Sequence, residues 1–498
     1  MKITHEIPDK RHTSPQNQEN PRDEFVLYDD PKDDSGFHLL FRLVYYTHSG
    51  IKITIGRVKI YHCDCDKKYL KGKKISVSQK IRREDVRLNK NAFCSLGQSL
   101  NYYTNLKAAL PNDYRRVLKR LNDLAIFEDV QQQFADREGV RRFLLRDSGS
   151  EKAFHEAKRV LDTGRLNRKN MSFSYAARVP YFSDQVRINF NFTEQKNRPY
   201  RINVLIGKNG TGKTQILVRL ANEISGLTET SESQQKIFFG PRPLFDKVIS
   251  ISYSAFDRFH KRPNDLFAEY QDESYVYCGL QTESKLLTLK ELKQQFKLSH
   301  HTIVQKGRVR LWREIVIELL GREFFRKGEY TQWRSKSLDF SSGQNILLCT
   351  ITEVVAKIEE ESLILFDEPE LHLHPNAIAS MMRTFYKLLE SFNSYAIFAT
   401  HSPLVVQETP SAYVHVLNRI DDTLMVSKPQ LECFGENVTN ITNEIFDVSS
   451  SESNYKTVLE RLSRKMPYEE VLDLFDGKLS FHAMIYLKSC YESNKTSF

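Results

Sequence analysis

The stretch RINVLIGKNGTGKTQILVRLANEIS, residues 201–225, constrains this chain more than any other. Ile202, Val204, Leu205 and Ile206 form an apolar run that reads as a buried strand. Gly207, Lys208, Asn209, Gly210, Thr211, Gly212, Lys213 and Thr214 follow. Then Ile216, Leu217, Leu220 and Ile224 fall on one face of a helix that stops at Gly226. Strand, G-x-x-x-x-G-K-[ST] and helix in that order are the full context of a phosphate-binding P-loop. The glycines let the backbone wrap a polyphosphate with its N–H groups turned inward, and the helix N-terminus adds its positive end. Lys213 is expected to reach the β- and γ-phosphates, and the Thr214 hydroxyl to hold Mg2+. A glycine-rich turn without a ligand would account for neither the spacing nor the two flanks.

The second half of the chain carries matching chemistry. Residues 362–369, SLILFDEP, read as a buried strand that ends in two carboxylates, a Walker B arrangement. Asp367 is expected to bind Mg2+. Glu368, one residue on, faces the other way and can polarise an attacking water. Upstream, residues 338–344, LDFSSGQ, open a helix. There Ser341, Ser342, Gly343 and Gln344 offer a second anion cradle at a helix N-terminus. S-S-G-Q alone is a common turn-and-cap string, and it gains weight from its place between P-loop and acidic strand. A last strand ends in Ala399-Thr400-His401-Ser402, which puts His401 where a switch histidine contacts a γ-phosphate. Helices and strands alternate through this region, implying a largely parallel sheet.

Together these motifs resemble the heads of ABC-class ATPases. Residues 367–375, DEPELHLHP, resemble the D-E-P-E-x-H-L-H-P pattern of the RecF/OLD-like branch of AAA ATPases. The resemblance covers residues of about 186–410. It implies ATP and Mg2+ as ligands and catalytic roles for Glu368, His401 and Lys213. It also implies two heads that sandwich two nucleotides, each on residues 207–214 of one chain and capped by residues 341–344 of the other. Two departures stand out. The signature is Phe-Ser-Ser-Gly-Gln where Leu-Ser-Gly-Gly-Gln is usual, so the Ser342 side chain is expected to crowd the phosphate and slow hydrolysis. No glutamine follows Tyr253 where a Q-loop residue belongs. Glu370, His372 and His374 could be grouped as a metal trio, but in the resembling family this segment is the D-loop at the dimer interface.

The fold class expected is α/β: a P-loop NTPase of ABC-ATPase-head type with an antiparallel β subdomain, a helical insert lobe and a small C-terminal helical region. In order, residues 1–34 read as a disordered polar tail. Residues 35–64 read as a β-hairpin turning at Ser49-Gly50 and joining the ATPase β subdomain beside residues 186–192. Residues 65–170 are a basic, helical insert. The ATPase core spans 171–410, with its helical lobe at about 260–340, and strands and helices fill 411–498 after a serine-rich linker at 449–453.

Composition bounds the partners. Lys plus Arg number 73 against 63 Asp plus Glu, a net charge of +10, and residues 67–90 are densely basic. Nucleic-acid contact and an ordinary solvated face both fit that block. Seven scattered cysteines suit reduced thiols, not a disulfide framework. His62-Cys63-Asp64-Cys65 lacks the second pair that a zinc finger needs. Without a secretory h-region or an apolar run of ~20 residues, the expected location is the cytoplasm, with no membrane contact.

No long heptad array is present, so this is not expected to be an SMC- or Rad50-type arm protein, and without a Toprim-like acidic set or HNH spacing no nuclease is expected on this chain. Residues 93–97 leading to Tyr102-Tyr103, residues 252–259 and residues 434–437 resemble the ATPase subunit of Septu-type antiphage systems, the PtuA-like group that also occurs beside retrons. That resemblance implies a small HNH nuclease subunit as partner, and in retron versions a reverse transcriptase with its multicopy single-stranded DNA. Two readings follow. One is a regulatory ATPase that gates a separate nuclease; the other is a RecF-like repair ATPase that binds DNA ends or gaps.

Overall fold

The computed structural model describes residues 2–6, 22–30, 38–69, 76–164, 171–179, 182, 185–194, 199–227, 237–240, 242–254, 258–259, 274–282, 285–322, 325, 342–371, 373–446 and 454–495. The serine-rich linker, most of the 323–341 segment and Ser341 lie outside them, as do most of residues 67–75.

The N-terminal part is built on five strands paired in chain order: β1 (Lys2–Glu6), β2 (Glu24–Asp29), β3 (Leu40–Tyr46), β4 (Lys52–His62) and β5 (Phe93–Gly97). The first two are parallel and the other pairs antiparallel. Residues 2–6 and 22–30 are thus ordered parts of a sheet, which corrects the disordered-tail reading for them, while residues 7–21 and 31–34 lie outside the described residues. Ile3 and His5 alternate inward on β1, and Phe25, Val26 and Leu27 are buried on β2. Such short apolar stretches in polar surroundings form strands only because a partner waits beside them. The β3–β4 hairpin forms as expected, but it joins this sheet and not the strand at residues 186–192.

Helices α1 (Asp64–Tyr69), α2 (Leu100–Ala109), α3 (Tyr114–Arg120), α4 (Glu128–Phe134) and α5 (Ser148–Thr163) follow the hairpin, and α2 to α5 contribute to the core built on this sheet. Gly97 is required there, since a Cβ on it would lie 2.3 Å from Tyr102 Cδ1. Within this helical region the chain turns out of helix at Asn122, which has φ 47° and donates its side-chain amide to the carbonyls of Leu88 and Phe93. Beyond it the fully buried Asp123 accepts bonds from Tyr103 Oη and the Ala125 amide.

Burial pushes the Asp123 carboxyl up to about 7. Because the folded value lies above the unfolded one of 3.8, the folded chain holds the extra proton in between. Stability is therefore lost as pH rises from about 4 to about 7, by at most about 1.4 kcal/mol per pH unit. Asp123→Asn is expected to flatten the fall of Tm across that window. An unchanged slope would show that Asp123 does not titrate there.

The second sheet has the order β10-β9-β11-β12-β8-β13-β14, with β8 (Ile202–Gly207), β9 (Val248–Ser252), β10 (Tyr275–Tyr277), β11 (Leu363–Asp367), β12 (Tyr395–Thr400), β13 (Val414–Ile420) and β14 (Thr423–Ser427). All its pairs are parallel except β13–β14. Alternate residues feed two cores. Val204, Ile364, Phe366 and Phe398 face one side, and Leu205, Leu363, Leu365 and Ile397 face the other.

The first side is covered by α7 (Leu289–Gln305), α8 (Val309–Leu320), α9 (Ser342–Lys357) and α10 (Pro375–Ser391). The other is covered by α6 (Lys213–Ser225) and the two-stranded sheet of β6 (Phe173–Arg178) and β7 (Gln185–Phe190). This three-layer arrangement around a mainly parallel sheet is the α/β architecture that the motif order implied. α11 (Pro403–Gln407) and α12 (Val438–Phe446) lie near the strand ends, and α13 (Asn454–Ser463), α14 (Tyr468–Asp473) and α15 (Phe481–Lys495) form a small cluster of their own.

The two sheets are stapled together through buried groups. Lys152 on α5 reaches Glu361 Oε2 at 2.9 Å, with Asp246 Oδ1 at 3.9 Å. Ser148 Oγ donates to Phe245 O at 2.9 Å. The Arg242 guanidinium donates to Arg146 O and, at 2.9 Å, to Ile224 O at the end of α6.

Candidate functional site

Parallel pairing brings three strand ends to one rim. Ile206 on β8 stands beside Thr400 on β12, and Ala399 beside Asp367 on β11. The loops that leave these ends therefore converge, as ligand-binding loops do in open α/β sheets.

The first is the P-loop. A Cβ at Gly207 would meet Leu417 O at 2.4 Å, and one at Gly212, where φ is 84°, would meet Val179 Cγ1 at the same distance. Only glycine lets the chain turn between β13 and the residue that follows β6. Thr211 is buried and its hydroxyl donates to Lys208 O, while Lys208, Asn209 and Gly210 are exposed. Lys213 opens α6, and its Nζ donates to Gly207 O at 2.8 Å and Lys208 O at 3.1 Å. Burial holds this ammonium below the usual lysine range, and Glu368, Asp367 and Glu370 pull it back up. The charge lies on the loop's own carbonyls, ready for phosphate oxygens to replace them.

Thr214 Oγ1 donates to Asp367 Oδ2 at 2.8 Å, across 153 residues of sequence. A hydroxyl and a carboxylate in contact are hard oxygen donors that suit Mg2+. Thr214 and Asp367 would hold that ion, and when bound it neutralises charge on the phosphate oxygens.

Glu368 adopts φ 49° and its amide donates to Ala399 O. A non-glycine residue in that region is uncommon and costs about 1 kcal/mol or more. The turn swings the carboxylate out of the strand direction to within 3.5 Å of His401 Nδ1. Glu368 and His401, the two residues for which the sequence reading expected the roles of base and switch histidine, thus lie side by side. Glu370, from the segment that the sequence reading took for the D-loop in preference to a metal trio, joins them. Its Oε1 accepts from Thr400 Oγ1 at 2.6 Å and from the His401 amide at 3.1 Å.

Other candidates resolve differently. Gly343 and Gln344 lie in the first turn of α9, which packs on α7 and α8, while the Ser342 side chain falls outside the described residues. His372 is also outside them, and His374 caps α10 by accepting from the Asn376 amide. The His62, Cys63 and Asp64 ligand atoms do cluster within 4.8 Å, but Lys80 Nζ already sits 2.5 Å from Asp64 Oδ2. None of the described cysteines is disulfide-bonded. Among the described residues no helix is long and apolar enough to cross a membrane.

The P-loop lysine and Thr214 thus stand beside the acid that ends β11 on one rim of a mainly parallel sheet, the arrangement of a nucleotide-binding P-loop site. Residues 281–407 match the family model described as "AAA domain, putative AbiEii toxin, Type IV TA system". That span takes in α9, Asp367, Glu368 and His401, and the P-loop lies upstream of it. Among curated proteins, the chain is 29% identical over 500 residues to Protein ea59 of Escherichia phage lambda, covering 92% of each. It is 25% identical over 114 residues to "Retron Vc95 probable ATPase" of Vibrio cholerae serotype O1 biovar El Tor, covering 20% of this chain and 22% of that one. Among solved structures, an ATP-binding cassette of an ABC transporter in its ADP conformation overlaps at TM-score 0.28 and 16% identity, covering 55% of this chain and 93% of that one.

Proposed function

We propose that this chain is the nucleotide-driven regulatory subunit of a defence-type complex, binding ATP with Mg2+ and hydrolysing it slowly. Two heads would close around two ATP molecules, with Ser341, Ser342, Gly343 and Gln344 of one capping the P-loop of the other. The closed dimer would hold a separate nuclease subunit of the HNH kind in check, with a reverse transcriptase and its single-stranded DNA in versions linked to a retron. The observation that carries the ATPase half is the 2.8 Å contact of Thr214 with Asp367, with Glu368 and His401 3.5 Å apart beside it. The regulatory half is supported by the retron ATPase likeness and by the toxin-type family match over residues 281–407.

The test is purification of the tagged protein from its native gene neighbourhood at moderate salt. A stoichiometric small nuclease and weak basal hydrolysis are expected. Isolation alone, with hydrolysis stimulated by duplex DNA and binding that falls steeply with salt, would replace this reading with the RecF-like one.

A further inference from the structure

The acidic residue three places beyond the Walker B aspartate is not used by the chemistry described above. Glu370 is nearly buried, with 9% of its side chain exposed, in a rim where Glu368 and His401 remain open to solvent at 28% and 44%. Burying a carboxylate is costly unless hydrogen bonds replace its water. Here Oε1 accepts from the Thr400 hydroxyl and the His401 amide, and His401 Nδ1 lies 3.4 Å from it. Thr400 Oγ1 in turn accepts from the Ser402 amide at 2.9 Å, and Ser402 Oγ accepts from the Leu404 amide as the cap of α11. One oxygen atom therefore fixes the backbone from the end of β12 to the start of α11.

We propose that Glu370 is a positioning residue for ATP hydrolysis, holding the switch loop and the His401 ring in register with Glu368. This rests on the ATPase reading above. The His401 imidazole stands between two carboxylates, 3.4 Å from Glu370 and 3.5 Å from Glu368. Glu370 shares that imidazole, and so leaves Glu368 available to a water molecule. The link is between the Walker B turn and the switch loop, 31 residues apart in sequence.

The experiment compares Glu370→Ala and Glu370→Gln with the full-length wild type. Amide exchange in the segment holding His401 and Ser402 is measured without added nucleotide, and kcat and KM for ATP are measured with Mg2+. Alanine removes the acceptor, so exchange at these amides is expected to rise by ~10-fold or more. kcat is expected to fall by ~10-fold or more with KM within about two-fold, since alignment and not ground-state binding is lost. Glutamine keeps an acceptor oxygen, so it should restore exchange protection to within about three-fold and recover part of kcat. The proposal is overturned if alanine leaves exchange unchanged, or if it shifts Tm and KM while kcat holds. Should the wild type show no turnover, the ATPase reading fails, and the exchange comparison still decides whether Glu370 holds the loop.

Discussion

Lys213→Ala is expected to weaken ATP binding by ~100-fold or more while leaving the fold intact. The Lys213 ammonium is buried at the start of α6 and makes two bonds to the loop carbonyls of Gly207 and Lys208. Phosphate oxygens offer it better acceptors in the same place. Two charge-assisted bonds at about 1.5–3 kcal/mol each amount to at least two factors of ten in affinity. Lys213→Arg should not rescue the loss, because a planar fork does not fit where a point charge bridges two carbonyls 2.8 and 3.1 Å away. Titration with a fluorescent ATP analogue, alongside turnover, reads the effect. Near-wild-type affinity and turnover in the alanine variant would remove the P-loop from the mechanism.

Glu368→Gln is expected to leave binding intact and to remove turnover instead. The amide has the same size, keeps the φ 49° backbone and leaves the Thr214–Asp367 contact untouched, so ATP and Mg2+ should bind as before. What it loses is the basic oxygen that draws a proton from water. Turnover should fall by ~100-fold or more, the usual scale for loss of a positioned general base. In the proposed head-to-head dimer, ATP that is bound and not consumed should keep the two heads together. Size analysis with and without ATP, paired with single-turnover kinetics, checks both parts. A variant that still hydrolyses at the wild-type rate would show that another group activates the water.

The part of this site that could be read from sequence is the part whose stereochemistry is local. Gly207 to Thr214 and residues 362–369 are contiguous, and each demands its residue types on a strand end whatever the rest of the chain does. Glu370 was visible in the same string, but its task depends on Thr400 and His401, which only the β11–β12 pairing brings near. The strands at residues 40–46 and 52–62 were legible from alternation, yet their sheet was not, because a period of two says which face is buried and not which neighbour supplies the edge. The true neighbours, β1 and β2, are short and embedded in polar sequence, where composition argues for disorder. At Asn122, just past α3, a left-handed residue turns the chain, and its gain, two side-chain bonds to distant carbonyls, has no local signature.

The staple at the far end of α6 gives the nucleotide a long reach. This helix starts at Lys213 and ends at Ser225, 13 residues that span ~20 Å at the usual rise. At its last turn Arg242 ties the Ile224 carbonyl to that of Arg146, and a Cβ at Gly226 would already touch Arg146 O at 2.4 Å. The helix is thus a strut with no slack at its distal end. A tilt of about 10° at the phosphates would move that end by about 3 Å, more than a hydrogen bond can stretch. Either the five-stranded sheet swings as one body when the P-loop closes, or the Arg242 bonds break, and both events are felt well away from the ATP.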